Sequence, residues 1–478
     1  MKTDERNKFA IKSFLGEYLD LKKDKDNEME TVDSIRKGVE FKGANLWILI
    51  FALLFGSPFV SWFFLKNSVD TQNYENREVT EMPKISLEEY AQFPQQYETY
   101  FNDNIPWRNQ LISLNSGLDL FAFRDSSNEN VLIGKDGWLF FTGGTNPVEQ
   151  STGQRLLSED DLEKIAGQLT LVQRWVQSRG EKFIFFLAPN KETIYREKLP
   201  ESETVVTDET EAFQLINYLK EHTDISVVWP YEELMEAKAD SGMWIYSKLD
   251  THWGNPGAYI GAKALAEELG VEMPELSEVS AELSEISRGD LANMLNVSIP
   301  NGDREYQLSG YEVEDGNQGE SYMEFHQNSG SSLKLAIRRD SFGARLSKVL
   351  QHAFQDVYVA QGETDLIDVD ADVFVYELVE RSLENPDLGL PYLSVLSNTD
   401  ENGKAVTLKA ECDLNGFYIS AFRQPDGTDD WQGVLIGETI SQEGTTFAVP
   451  DGESGRLQIY MFLDANGEKP VHEMTLEY

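Results

Sequence analysis

From residue 131 to about residue 385, short apolar runs rich in β-branched and aromatic residues alternate with stretches whose apolar positions recur three and four apart. That alternation predicts strands interleaved with helices. Several runs are apolar on both faces, which predicts a mostly parallel sheet covered on both sides. VLIGKDGWLFF (131–141) sets a glycine-containing turn between two apolar runs and predicts a hairpin. A helix over 158–179 precedes a strand at 182–189, and a helix over 208–221 precedes a strand at 225–230. The helix over 257–270 ends at Gly270. A strand at 333–338 leads into a helix over 341–354, then come strands at 356–361 and 371–379. Residues 66–90 read as polar loop, Pro94 and Pro106 interrupt helical spacing over 87–124, and 300–331 reads as a long surface excursion. After about residue 390 only strands are predicted, six of them between turns such as Pro425-Asp426-Gly427 and Asn466-Gly467. That spacing predicts a small β-sandwich.

One stretch differs in kind. Leu46 to Leu65 (LWILIFALLFGSPFVSWFFL) runs for twenty residues without a charge, and as a helix would span about 30 Å, the thickness of a hydrocarbon core. It is longer than a signal-peptide core and no small-residue cleavage site follows it, so it reads as one transmembrane helix. Trp47 and Trp62 near its ends suit the membrane interface. Arg36, Lys37 and Lys42 precede it, whereas Lys66 is followed by Asp70, Glu75 and Glu78. The positive-inside rule therefore sets the N-terminus in the cytoplasm and the main domains outside the cell membrane. Within the preceding tail, Ile11, Phe14, Leu15, Tyr18 and Leu19 share one helical face beside Lys8, Lys12, Lys22 and Lys23. This amphipathic helix either lies on the inner leaflet or is a marginal helix without a role. The expected organisation is thus a tail (1–45), a span (46–65), an α/β domain (66–388) and a β-sandwich (389–478).

Charge narrows the partners. The 478 residues carry 41 Lys+Arg against 83 Asp+Glu, a net −42. Ten basic and ten acidic residues balance within 1–45, so the excess belongs to the exported part. Nucleic acid is excluded as a partner, and a polyanionic polymer is disfavoured. A single cysteine, Cys412, rules out an intrachain disulfide, and five His make a polyhistidine metal centre unexpected. No Walker loop, GxGxxG, HExxH or EF-hand loop occurs, and neither a metal nor a cofactor is expected.

Chemistry is left to Ser, His and carboxylates. Asp250-Thr251-His252-Trp253 places an acid two residues before a His, at an element boundary just ahead of the 257–270 helix. Acids are so frequent here that the spacing alone is cheap, and Glu324-Phe325-His326 is a second case, read as chance. Asp340-Ser341-Phe342-Gly343 lies on a strand-to-helix turn, where a serine hydroxyl is exposed and helix N-terminal amides can bind an oxyanion. An ordinary N-cap is the competing reading of Ser341. Tyr418, Trp431 and Tyr460 could stack on sugar rings, although aromatics on strands more often belong to the core.

Taken together, Asp250-Thr251-His252-Trp253 with a Gly-Ala-Tyr helix after it and Arg339-Asp340-Ser341-Phe342-Gly343 after a strand resembles the alginate O-acetyltransferase group, DHHW proteins of SGNH-hydrolase-like fold. Further matching pieces are Tyr100-Phe101-Asn102-Asp103, Gly134-Lys135-Asp136-Gly137-Trp138, Pro189-Asn190-Lys191 and Glu380-Arg381, so the resemblance covers about 75–385. It implies an SGNH-like sheet between helices and an O-acetyltransferase acting on a polysaccharide outside the membrane. A multispanning membrane O-acyltransferase would deliver the acetyl group. By the same resemblance Ser341 is the nucleophile, His252 the general base and Asp250 the carboxylate that orients it. Asn190, Lys191, Phe342, Gly343 and Trp253 are candidates for substrate or oxyanion contact. Arg338-Arg339 departs from the pattern, standing where ordinary SGNH enzymes have Gly before the Asp. A carbohydrate esterase using the same residues, or a non-catalytic glycan-binding or assembly protein, are the competing classes. The charge adds the expectation of a neutral or zwitterionic acceptor glycan.

Overall fold

The computed structural model describes residues 44–65, 80–84, 91–105, 107–123, 125–311, 321–361, 366, 369–400, 403–467 and 469–478. The amphipathic helix expected within the tail, Pro106, and the charged flank of Lys66, Asp70, Glu75 and Glu78 lie outside these residues. The chain divides into two compact units, one ending at Leu111 and the other running from Ile112 to Tyr478.

The first unit contains α1 (Ala44–Leu65), 22 residues with no charged side chain, about 33 Å long. Leu46, Trp47, Ile48, Phe51, Leu54 and Phe55 are all exposed on it. The side chains of Pro58, Phe59, Trp62, Phe63 and Leu65 are outside the description. Over those that are described, no helix is long and apolar enough to cross a membrane. In α2 (Phe93–Asn104) the proline falls in the first turn, so Pro94 opens the helix instead of interrupting it. Asp103 accepts from Thr80 N (3.0 Å) and so ties the preceding segment to that helix.

The second unit is built on a six-stranded sheet of order β4-β3-β10-β8-β9-β7. A two-stranded hairpin of β1 (Val131–Ile133) and β2 (Leu139–Phe141) precedes it, paired Val131 with Phe141 as the sequence predicts. The sheet strands are β3 (Lys182–Ala188), β4 (Ser226–Val228), β7 (Tyr322–His326), β8 (Ser331–Arg338), β9 (Phe354–Ala360) and β10 (Val373–Val379). All neighbours are parallel except β7, which runs antiparallel to β9 at the edge. The alternation along β3 shows why both faces are covered. Phe183, Phe185 and Leu187 join one core, and Ile184, Phe186 and Ala188 join the other. The first core contains Leu169, Val172 and Val176 of α3 (Glu159–Ser178) and Leu215 and Leu219 of α4 (Glu211–His222). The second contains Tyr259, Ala262 and Leu265 of α5 (Asn255–Glu268). Each such Val, Leu, Ile or Phe side chain, fully buried, stabilises the fold by roughly 1.5–3 kcal/mol.

Two expectations change here. The stretch 300–331 is not a bare excursion: β6 (Asp303–Leu308) pairs antiparallel with β5 (Ala281–Ile286), and β7 joins the main sheet. Glu324-Phe325-His326 therefore sits on an edge strand, where the exposed His326 bonds Asp356 (2.7 Å). The helix expected over 341–354 is shorter, Gly343–Leu350, because Phe354 already pairs with Ser331 at the start of β9.

After Pro391 the chain is all strand: β11 (Leu393–Asp400), β12 (Gly403–Ala410), β13 (Tyr418–Pro425), β14 (Gln432–Glu438), β15 (Thr445–Val449), β16 (Gly455–Phe462) and β17 (His472–Glu477). They form a three-stranded sheet, β11-β12-β15, and a four-stranded one, β14-β13-β16-β17. Leu408, Ile419 and Leu457 from the two sheets meet in one cluster, which also contains the core residues of α3. Cys412 is buried there, its thiol pushed up to about 11 by burial. Trp431 is exposed and Tyr418 and Tyr460 are half-buried, so none of the three is the core aromatic that strand statistics favour.

Candidate active site

The sheet order reverses between β3 and β8, and Asn190, Lys191, Ser341, Glu380 and Arg381 follow the carboxyl ends of β3, β8 and β10. Crevices open at such switch points. At the end of β8, Asp340 fixes the turn: its carboxylate accepts from Phe342 N (2.7 Å) and from Val379 N (2.8 Å) at the end of β10. Asp340 N donates to buried Glu377 (2.9 Å), and Trp253 Nε1 donates to the Phe342 carbonyl (3.1 Å). The turn leads into α7 (Gly343–Leu350). A Cβ on Gly343 would lie 2.5 Å from both Arg339 Cβ and Glu377 Oε2, so only glycine lets the helix start this close to the strand. Arg339 is 1% exposed and lies beneath the same turn.

Asp250 and His252 come from the turn between Tyr246 and α5, closed by a bridge between Tyr246 and Trp253. Buried Asp303 accepts from Lys248 N (2.9 Å) and Leu249 N (2.8 Å), and Lys191 Nζ donates to the Asp250 carbonyl (2.6 Å). The turn is thereby held from below. Asp250 Oδ1 takes both His252 N (3.0 Å) and His252 Nδ1 (2.7 Å). With Nδ1–H donated to Asp250, Nε2 is the acceptor that faces Ser341 Oγ, at 2.8 Å. The imidazole packs on the Phe342 ring at 4.9 Å. Ser341, His252 and Asp250, spread over ninety positions, thus form one hydrogen-bonded series, and each keeps partial exposure. Ser341 is not an N-cap, because Phe342 occupies that position and no side chain caps the helix.

Electrostatics agree with the bonding. Burial alone would pull the His252 imidazole down. The hydrogen bond to Asp250 and the charges of Asp250 and Asp290 outweigh it, so the pKa stands above the ordinary value. Burial would raise the Asp250 carboxyl, but the His252 bond and charge, with the amides of Asp290 and His252, hold it well below the usual range.

The other candidates from the sequence sit differently. Asn190, Lys191, Trp253 and Phe342, expected as substrate or oxyanion contacts, have fully buried side chains here. Asn190 bonds Glu380 through its amide (2.8 Å) and Arg381 N through its side-chain oxygen (3.3 Å). Lys191, its pKa lowered by burial, supports the Asp250 turn. Phe342 N is taken by Asp340, whereas Gly343 N–H has no partner among the described residues. Below them Glu380 accepts from Asn190 N, Thr193 Oγ1 (2.6 Å) and Trp229 Nε1 (3.0 Å), and burial pushes its carboxyl up to about 7.

Three residues near the site had no assigned place in the sequence reading. Arg381, matched there only as part of a motif piece, stacks its guanidinium over the Phe342 ring (5.0 Å). Asp290 sits beside Asp250 and Thr251, and its Oδ2 is 3.7 Å from His252 Nδ1. Arg345, one turn into α7, bonds Asn255 and Glu305 (3.2 Å each). Their only sequence signal is position, two residues past a strand or at the start of a helix. Asp250, His252 and Asp290 offer ligand atoms within 4.8 Å of one another, but their oxygens already accept amide, hydroxyl and imidazole protons, and we assign no ion to them. A groove of about 510 Å³ opens beside Asp250, lined by Ser247, Glu285, Arg288, Glu305 and Arg345 among others.

Comparison with known proteins agrees in kind. Residues 131–327 match the family described as ALGX, SGNH hydrolase-like domain, acetyltransferase AlgX. The match takes in Asp250 and His252 and stops before Ser341. Curated relatives include "Probable alginate O-acetylase AlgJ" of Pseudomonas aeruginosa, 28% identical over 181 residues, and its namesake in Pseudomonas fluorescens, 25% over 207. The aligned parts cover 37% and 41% of this chain and 42% and 48% of those relatives, so the chain spans less than half of their length. Solved structures that align include the O-acetyltransferase domain of Pseudomonas putida AlgJ (18% identity, TM-score 0.37, 53% of this chain and 92% of that one). Bacillus cereus PatB1 with a sulfonyl adduct aligns similarly (14%, 0.39, 53% and 94%). Over residues 131–327 the chain is thus similar to the AlgX/AlgJ-type family of SGNH hydrolase-like proteins.

Proposed function

We propose that this protein is an O-acetyltransferase that acylates Ser341 and passes the acetyl group to a hydroxyl of an extracytoplasmic polysaccharide. The observation that carries the reading is the series Ser341 Oγ–His252 Nε2 (2.8 Å) and His252 Nδ1–Asp250 Oδ1 (2.7 Å). A serine hydroxyl is a poor nucleophile at neutral pH until a neighbouring imidazole takes its proton. Here Asp250 fixes the imidazole tautomer, His252 is the general base, and Gly343 N–H faces the developing oxyanion. The acceptor hydroxyl would then give its proton to His252 as it attacks the acyl-serine. The name of the curated relatives, alginate O-acetylases, supports acetyl as the acyl group.

The polar groove beside Asp250 suits a hydroxyl-rich acceptor, since both signs of charge line it. With a net −42 the acceptor is a neutral or zwitterionic glycan, because a uronate polymer would be repelled at low salt. The uncharged run Leu46–Leu65 supports a single-pass anchor in the cell membrane with residues 1–45 in the cytoplasm. From there the domain would receive acetyl groups from a multispanning membrane O-acyltransferase. The test is acetyl transfer against acetyl release, with and without Ser341→Ala. Transfer lost in the variant supports the reading. Release without transfer makes the chain an esterase, and no dependence on Ser341 removes catalysis from the site.

A further inference from the structure

We infer that Asp290 is a positioning residue of this site: a second carboxylate that locks Asp250 in place and supports the positive charge of His252 during acyl transfer. The inference rests on the reading of Ser341 and His252 as nucleophile and base, and goes beyond the three residues which that reading uses.

The geometry is specific. Asp290 opens the short helix α6 (Asp290–Met294), and its N–H donates to Asp250 Oδ2 (2.9 Å), the oxygen that His252 does not use. Both oxygens of Asp250 are therefore engaged, one by the imidazole and one by α6. In return the Asp290 carboxylate accepts from Thr251 N (2.7 Å) and Thr251 Oγ1, and Thr251 Oγ1 stands 3.2 Å from His252 Nδ1. Asp290 thus grips the three-residue turn at its middle, with Asp250 on one side and His252 on the other. Gly289 makes the approach possible. A Cβ there would lie 2.5 Å from the Leu249 carbonyl oxygen and 2.9 Å from Asp250 Cβ, so any other residue would push α6 off the turn.

The charge also falls where it matters. The ionisable groups around His252 are Asp250 and Asp290, with Arg381 opposing them across the Phe342 ring and Lys191 beneath the Asp250 carbonyl. In the acylation step the Ser341 oxygen forms a bond to the acyl carbon, the carbonyl π pair moves to its oxygen, and the serine proton moves to His252 Nε2. That proton leaves with the donor's alcohol when the ester bond breaks. Between those events the imidazole is cationic, and a carboxylate 3.7 Å from Nδ1 lowers the energy of that state.

The test follows the rate of Ser341 acylation by an activated acetyl ester against pH, on the full-length chain in detergent. Asp290→Asn keeps the acceptor for Thr251 N but removes the charge. It is expected to slow acylation on the order of tenfold and to move the acid limb toward lower pH, with Asp290→Glu recovering most of the rate. An acid limb and rate equal to wild type would overturn the inference. Should Asp290→Asn fail to fold, Asp290→Ser keeps an oxygen acceptor facing Thr251 and removes the charge, and the same shift is expected; an unmoved limb would again overturn it. Absence of acylation in the wild type is a different result, and it removes the underlying reading along with this one.

Discussion

Glu380 offers a quantitative test of how the site is supported. Its carboxyl is fully buried, bonds Asn190, Thr193 and Trp229, and precedes Arg381, so it joins the ends of β3 and β10 beneath Ser341. Burial raises its pKa from 4.5 to about 7. The folded state therefore binds this proton more tightly than the unfolded chain. The sign follows from linkage: stability is greatest below the unfolded value and falls as pH rises toward the folded one. The span of 7 − 4.5 = 2.5 units, at roughly 1.36 kcal/mol each, gives a loss of about 3 kcal/mol, most of it between about pH 5 and about pH 7. Glu380→Gln removes the titration. Its amide cannot accept from every donor that the carboxylate satisfies, which costs about 1 kcal/mol at all pH values. The variant should be less stable than wild type near pH 5 and more stable near pH 8. Asp250 and His252 also titrate, but they are common to both proteins and cancel in the difference. Urea unfolding at several pH values, followed by tryptophan fluorescence, reads that difference directly. A wild-type-minus-variant difference that does not change between those pH values would refute the burial argument.

Further consequences can be measured separately. Because Asp250 and Asp290 together hold His252 above its ordinary value, and the imidazole must be neutral to take the serine proton, kcat/KM should rise with pH through a midpoint above about 6.5; a midpoint below that would contradict the assignment. Gly343→Ala should destabilise the fold by roughly 1–3 kcal/mol, since its Cβ meets Arg339 and Glu377 at 2.5 Å; an unaltered melting curve and rate would show that the turn has room.

The sheet was legible because its strands are written locally, whereas the roles expected of Ser341, His252 and Asp250 came from the resemblance of two separate motifs to a known family. The strand-turn-helix pattern around Ser341 and the alternation along β3 are short-range signals. What the sequence hid is governed by long-range partners. The N-cap reading of Ser341 fails because Phe342 holds that position; its hydroxyl faces His252 instead, 89 positions away, while Asp340 takes the Phe342 amide. Asn190 and Lys191, candidates for substrate or oxyanion contact, are buried, and Glu380, Arg381 and the Asp250 carbonyl satisfy their polar groups. Asp290 lies 40 positions beyond Asp250 in an unremarkable Arg-Gly-Asp stretch, and only the close approach at Gly289 reveals it. Strand β11 was missed because Pro391 and the polar Ser397-Asn398-Thr399 conceal an alternation that pairing with β12 makes useful.

The account turns on whether Ser341 carries the acyl group. Brief exposure of the intact chain to an activated acetyl ester, followed by peptide mass analysis, measures this without an assumed acceptor. The predicted result is one added acetyl on the peptide containing Ser341, absent in Ser341→Ala and strongly reduced in His252→Ala. An unmodified Ser341 in a folded wild-type chain, or equal labelling of Ser341→Ala, would contradict it.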